Sequence, residues 1–157
     1  MSANETQVGG THYKNHFQHW DLAHELDLGY FEGQITKYVT RHRSKKGRED
    51  LEKALHFTRK LRELAVLAGR HPRHKYGTMA RFTEYVGANK LNGAEYLIIM
   101  SACNWSMVDD LNVLIDRIVV LMDETYPQLP VPEVQTMPGG LDSGGPGRGY
   151  IDQARDI

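Results

Sequence analysis

The segment "ITKYVTRHRSKKGREDLEKAL", residues 35–55, holds six Lys/Arg side chains and one His between Lys37 and Arg48, and Glu49 and Asp50 follow at once. Lys37 and Arg41 are four apart, so on a helix they project from one face, with Tyr38 beside them. Lys45 and Lys46 fall on the connection that follows and can fold back over that face. A guanidinium makes bidentate contacts to phosphate and an ammonium supplies a mobile point charge, so this set can clamp a phosphate chain. Asp50 and Glu49 can receive one of the cations or hold Mg²⁺, and Lys53 lies one turn further on. A plainer reading stands beside this one: a basic helix end that satisfies the macrodipole, with Asp50 capping the next helix.

A second group lies near the start. In "VGGTHY" two glycines allow close backbone approach, and His12-Tyr13 can stack on a base or donate to a phosphate. The histidines His12, His16, His19 and His24 are spaced four, three and five apart. That does not make the paired helical ligand signature with a carboxylate beyond it, so no metal site is expected from the protein alone beyond Asp50 as a Mg²⁺ ligand. The chain has no G-x-x-x-x-G-K-[ST] loop and no nucleophile elbow. Its single cysteine, Cys103, excludes an internal disulfide and lies in the apolar run "EYLIIMSACNW", where it reads as a small buried hydrophobe.

The elements that must position these residues read as helices throughout. Residues 1–10 form a polar arm. A helix is expected over His19 to Asp27, with Trp20, Ala23 and Leu26 at helical spacing, and a second from Tyr30 to about Arg43 with Phe31, Ile35, Tyr38 and Val39 as its apolar stripe. A third follows "SKKGRED", with Leu51, Ala54, Leu55, Thr58, Leu61, Leu64, Ala65 and Ala68 recurring at three- and four-residue steps and Gly69 at its end. Residues 11–69 make one helical unit, 70–77 a linker, and 78–126 a second unit of three helical patterns. The last of these is "SMVDDLNVLIDRIVVLMDETY", with Ser106 as its expected cap. Residues 127–157 form a Pro/Gly-rich tail expected to be flexible. The fold class is therefore all-α, a small helical bundle.

The two units align. "HFQHWDLAHELDLGYFEGQI" lies on "RFTEYVGANKLNGAEYLIIM", pairing Phe17 with Phe82, Trp20 with Tyr85 and Ile35 with Met100; "REDLEKALHFTRKL" lies on "VDDLNVLIDRIVVL", pairing Asp50 with Asp110. Divergent duplication and coincidence between two helical patterns both account for this. Under either account the charged block has no counterpart, since "SACNWSMV" stands in its place.

Charge bounds the partners. With 19 Lys/Arg against 20 Asp/Glu, the net charge of −1 argues against a duplex-DNA binder and for a small anion held by a local positive patch. There is no apolar run of membrane-spanning length and no apolar leader at the N-terminus, so a cytoplasmic protein without membrane partners is expected.

Taken in order, His12-Tyr13, "G-Q-x-x-KY-x-x-R-x-x-x-K", "DLEKA" and the aromatic of "HF" resemble the small phage-encoded nucleotide kinases that lack a P-loop. The residues that carry the resemblance are His12, Tyr13, Gly33, Lys37, Tyr38, Arg41, Lys45, Asp50, Leu51, Lys53 and Ala54. Gln34 stands where the family has Asn. The resemblance implies an oligomer in the host bacterial cytoplasm that transfers a phosphoryl group from ATP or a dNTP to a (deoxy)nucleoside monophosphate with Mg²⁺. Lys37, Arg41 and Asp50 would be the catalytic residues; His12, Tyr13, Gly33, Tyr38, Lys45 and Lys53 would bind substrate, with Tyr13 or Tyr38 stacking on the base. Three alternatives remain: a protein that sequesters a nucleotide or nucleotide-derived signal, a helical NTP pyrophosphohydrolase, and an adaptor for protein or RNA. Glu49, Asp50, Glu63 and Asp109-Asp110 are poorly spaced for the second.

Overall fold

The computed structural model describes residues 17–69 and 78–128. The arm, His12-Tyr13, His16, the linker and the tail from residue 129 lie outside the described residues. Among those described there are six α-helices and no strand: α1 His19–Glu25, α2 Tyr30–Arg41, α3 Arg48–Ala68, α4 Met79–Asn89, α5 Gly93–Asn104 and α6 Val108–Thr125, with a 3₁₀ turn over His42–Ser44. The protein is an all-α bundle, as its periodicities require.

Helix α2 packs on α3 and on α5, and α6 packs on α3 and on α5, so two helical hairpins lie against each other. One core runs through both. Ile35 and Val39 of α2 meet Leu51, Leu55 and Leu61 of α3, Ile98 and Ile99 of α5, and Leu111, Leu114 and Ile118 of α6, all buried. Truncating any of the fully buried leucines to Ala would cost about 2–5 kcal/mol. Cys103 is fully buried in this core, where burial pushes its thiol well above the ordinary range.

Three local expectations are corrected. Helix α1 ends at Glu25, two residues early, and buries Leu22, while Trp20, expected on the apolar stripe, is about half exposed; Leu26, just past the helix end, is buried as expected. Helix α2 ends at Arg41, two residues early, and passes into the 3₁₀ turn. At α6 the capping position is Met107 rather than Ser106. The Asp110 carboxylate turns back to accept from the Ser106 and Met107 N–H groups at 2.7 and 2.9 Å and from the Ser106 hydroxyl at 3.0 Å. A carboxylate at the third helical position supplies the N-terminal negative charge that a serine cap lacks.

Candidate functional site

Antiparallel packing of α2 on α3 sets the C-terminal end of α2 beside the start of α3. The two are joined by the 3₁₀ turn and a loop that ends at Gly47. That glycine has φ +56° and lies 3.4 Å, measured from the position a Cβ would take, from the Tyr126 ring. A larger residue there would be strained by the left-handed backbone and pressed against the tyrosine.

At this corner Asp50 is fully buried, on the third residue of α3. Arg41 donates to both its oxygens, Nε to Oδ2 at 3.2 Å and Nη2 to Oδ1 at 3.1 Å, and the Lys46 backbone N–H donates to Oδ2 at 3.3 Å. A bidentate pair of this kind fixes a guanidinium in direction as well as place. Asp50 therefore orients Arg41 and closes the loop.

Around the Tyr38 ring three cations converge. The Lys37 ammonium lies 4.6 Å from its centroid, the Arg41 guanidinium 4.7 Å and the Lys53 ammonium 5.8 Å. Each is within cation–π reach. Phe57 of α3 stacks on Tyr38 with centroids 5.8 Å apart and planes 16° from parallel. Lys37 also donates to the Gln34 side chain, and Lys53 donates to Glu49 at 2.5 Å. Partial burial and the neighbouring Arg41 charge lower the Lys37 pKa, against a smaller opposing effect of Asp50. Lys53 is held above its ordinary value, first by the hydrogen bond to Glu49. Asp50 and Glu49 already offset Arg41 and Lys53, and a further anion beside Lys37 would raise its pKa back toward the ordinary value.

The structure thus brings together Lys37, Tyr38 and Arg41, from the last two turns of α2, with Asp50 and Lys53 of α3, all residues the sequence singled out. Gly33 lies one turn before Lys37, with open space where a Cβ would be. Lys45 stands exposed on the loop.

Several residues of the corner were not legible in the sequence. His42 is buried: its Nε2 meets Glu95 Oε1 at 2.5 Å and its Nδ1 meets the Tyr126 hydroxyl at 2.9 Å. Arg43 pairs with the same Glu95 oxygen at 2.9 Å. Burial pushes the Glu95 pKa up, but its hydrogen bonds from His42 and the Asn92 N–H, with the charges of His42 and Arg43, leave it below its ordinary value. This network ties the 3₁₀ turn to α5 and to the end of α6. On the other side of α2, His19 Nε2 meets the Thr36 hydroxyl at 2.8 Å. Desolvation and the Lys37 charge, partly offset by a hydrogen bond with the Gly33 backbone, lower its pKa to about 4. No spacing rule reaches partners 53 or 84 residues apart.

Asp50 is taken by Arg41 and Lys46, and Glu49 pairs with Lys53 and Lys46. Among the described residues no group of three or more His, Cys, Asp or Glu side chains is arranged to hold a metal ion, and no helix is long and apolar enough to cross a membrane. No protein-family model, curated protein or solved structure matches the chain.

Proposed function

We propose that the α2–α3 corner binds the phosphates of a nucleotide, and that the protein is a P-loop-less kinase acting on (deoxy)nucleoside monophosphates with ATP or a dNTP as donor. The observation that carries this reading is the convergence of Lys37, Arg41 and Lys53 on the Tyr38 ring, with Arg41 aimed by Asp50. Phosphoryl transfer asks the protein chiefly to hold phosphates in line and to offset their charge. In that scheme Lys37 and Lys53 contact phosphate oxygens as point charges, and Arg41, aimed by Asp50, adds its positive charge beside them. Asp50 is a positioning residue for Arg41. Any Mg²⁺ would arrive bound to the triphosphate, since the carboxylates at the corner are engaged. By the resemblance, His12, Tyr13 and Lys45 would also contact the ligand.

A second reading is sequestration of a nucleotide without turnover. It is favoured by the contrast between the two hairpins: the cation cluster lies on α2–α3, while the α5–α6 corner pairs Asp110 with backbone N–H groups and a serine. A kinase must hold two phosphate-bearing substrates, so the partner site would come from a second copy of the chain, in keeping with a homo-oligomer. Incubating the full chain with ATP, Mg²⁺ and each dNMP, and resolving the products by chromatography, separates the readings. A nucleoside diphosphate product supports the kinase; tight binding with no product sinks it and leaves sequestration.

A further inference from the structure

The cation cluster is one end of a longer feature. Tyr30, Gln34, Lys37, Tyr38 and Arg41 recur at the four-, three- and one-residue steps of a single α2 face. On α3, Lys53, His56 and Phe57 do the same. Because the helices run antiparallel, the seam between them changes character along its length. Near Arg41 and Lys53 it is cationic. Near Tyr30 it is aromatic.

That aromatic end is preformed. Tyr30 makes edge contacts with Phe31, centroids 5.3 Å apart at 85°, and with Phe57, 5.9 Å apart at 75°. His56 meets Phe57 at 6.2 Å. These contacts hold the Tyr30 ring in place, yet it remains 64% exposed. An exposed aromatic ring at the start of a helix contributes little to the core, and Tyr30 is not part of the buried cluster. Phe57 links the two ends, since it touches Tyr30 on one side and stacks on Tyr38 on the other.

Resting on the phosphate-binding reading above, we infer that Tyr30 is the base-stacking residue of the same site. The nucleobase lies on the Tyr30 ring at the aromatic end of the seam, and the phosphates run toward Lys37, Arg41 and Lys53. Tyr38, covered by Phe57 and ringed by cations, is the floor of the phosphate end and not a platform for the base. Tyr30 and Lys37 are seven residues apart on one helix, about 10 Å, a span that a nucleoside di- or triphosphate bridges. Stacking accepts any base, because every base has a π-face. At the aromatic end, among the described residues, the Tyr30 hydroxyl and the His56 ring stand beside the platform for reading base edges. The ligand class is therefore nucleoside polyphosphates with weak base discrimination.

The test compares ATP with inorganic tripolyphosphate, which keeps the charge and lacks the base. Both are titrated into the full chain by calorimetry at one Mg²⁺ concentration, with Tyr30→Ala, Tyr30→Phe and Lys37→Ala alongside. The expected result is that the wild type binds ATP more tightly than tripolyphosphate by about 10- to 30-fold. Tyr30→Ala should lose that preference without weakening tripolyphosphate, Tyr30→Phe should keep it, and Lys37→Ala should weaken both ligands. Equal affinity of the wild type for ATP and tripolyphosphate, or an unchanged ATP preference in Tyr30→Ala, overturns the base assignment and leaves the phosphate site standing. If neither ligand binds, the phosphate reading falls and the base assignment with it.

Discussion

The two helical hairpins use one local device for different ends. Asp50 and Asp110 each occupy the third position of their helix, and each accepts the backbone N–H four residues earlier, from Lys46 and from Ser106. The other partners differ. Asp50 is buried and takes a bidentate guanidinium from Arg41, whereas Asp110 takes the Met107 N–H and the Ser106 hydroxyl at the surface. A carboxylate near a helix start is a capping device wherever it occurs. It becomes part of a candidate site only where the preceding helix ends in an arginine and the loop between is drawn over it. The surrounding residues carry the same contrast: Tyr38 gathers Lys37 and Lys53 at the first corner, while the second is lined by Met107 and Ser106.

The largest expected effect breaks the first corner alone. Arg41→Ala strips the buried Asp50 of its counter-charge and should lower stability by about 3 kcal/mol, measured by urea unfolding, with loss of nucleotide affinity. Ser106→Ala, the matching cut at the second corner, should cost under about 1 kcal/mol and leave binding alone. Equal losses from the two would erase the contrast between the corners.

Acidification separates two buried contacts, His19 of α1 against α2 and Glu95 of α5 against the 3₁₀ turn. His19 has a folded pKa near 4 against an ordinary value of 6.5, so the unfolded chain binds a proton first as pH falls. Stability should therefore drop by about 2–3 kcal/mol between pH 6.5 and 4. Glu95, depressed below its ordinary value of 4.5, contributes stability that is present above that value and is lost as pH falls through the folded pKa. His19→Gln should flatten the upper part of the profile and leave the lower part intact. A profile unchanged by His19→Gln would show that the histidine is not held neutral in this way.

Smaller effects are expected where cations face solvent. Lys37→Ala and Lys53→Ala should each weaken nucleotide binding by about tenfold, near 1.4 kcal/mol, with little change in unfolding midpoint. Arg117→Ala, on α6 where the guanidinium meets Ser101 of α5, should change nucleotide binding by less than about twofold. A similar loss in all three would point to diffuse attraction rather than a built site.

How far the sequence carried this picture depends on the range of each interaction. Helices α2, α3 and α6 are legible because their apolar residues recur with helical period, and the Lys37-Tyr38-Arg41 face follows from the same geometry. The identity of Trp20 as a surface residue was not legible, because Trp20 and Leu22 are both apolar and a seven-residue helix is too short for periodicity to say which of them turns inward. Nor were His42, Glu95 and Tyr126, whose contacts join residues far apart in the chain, or the distinction between Tyr30 and Tyr38, which depends on where Phe57 of α3 lands.

The central claim is that nucleotide phosphates bind at the α2–α3 corner and not at α5–α6. Its most direct test is an amide chemical-shift map of the full chain titrated with ATP. The account predicts saturable shifts concentrated on Lys37, Tyr38, Arg41, Lys46 and Lys53, with Met107 to Asp110 unmoved. Shifts centred on Met107 to Asp110, or none at the Tyr38 cluster under saturating ATP, would contradict it.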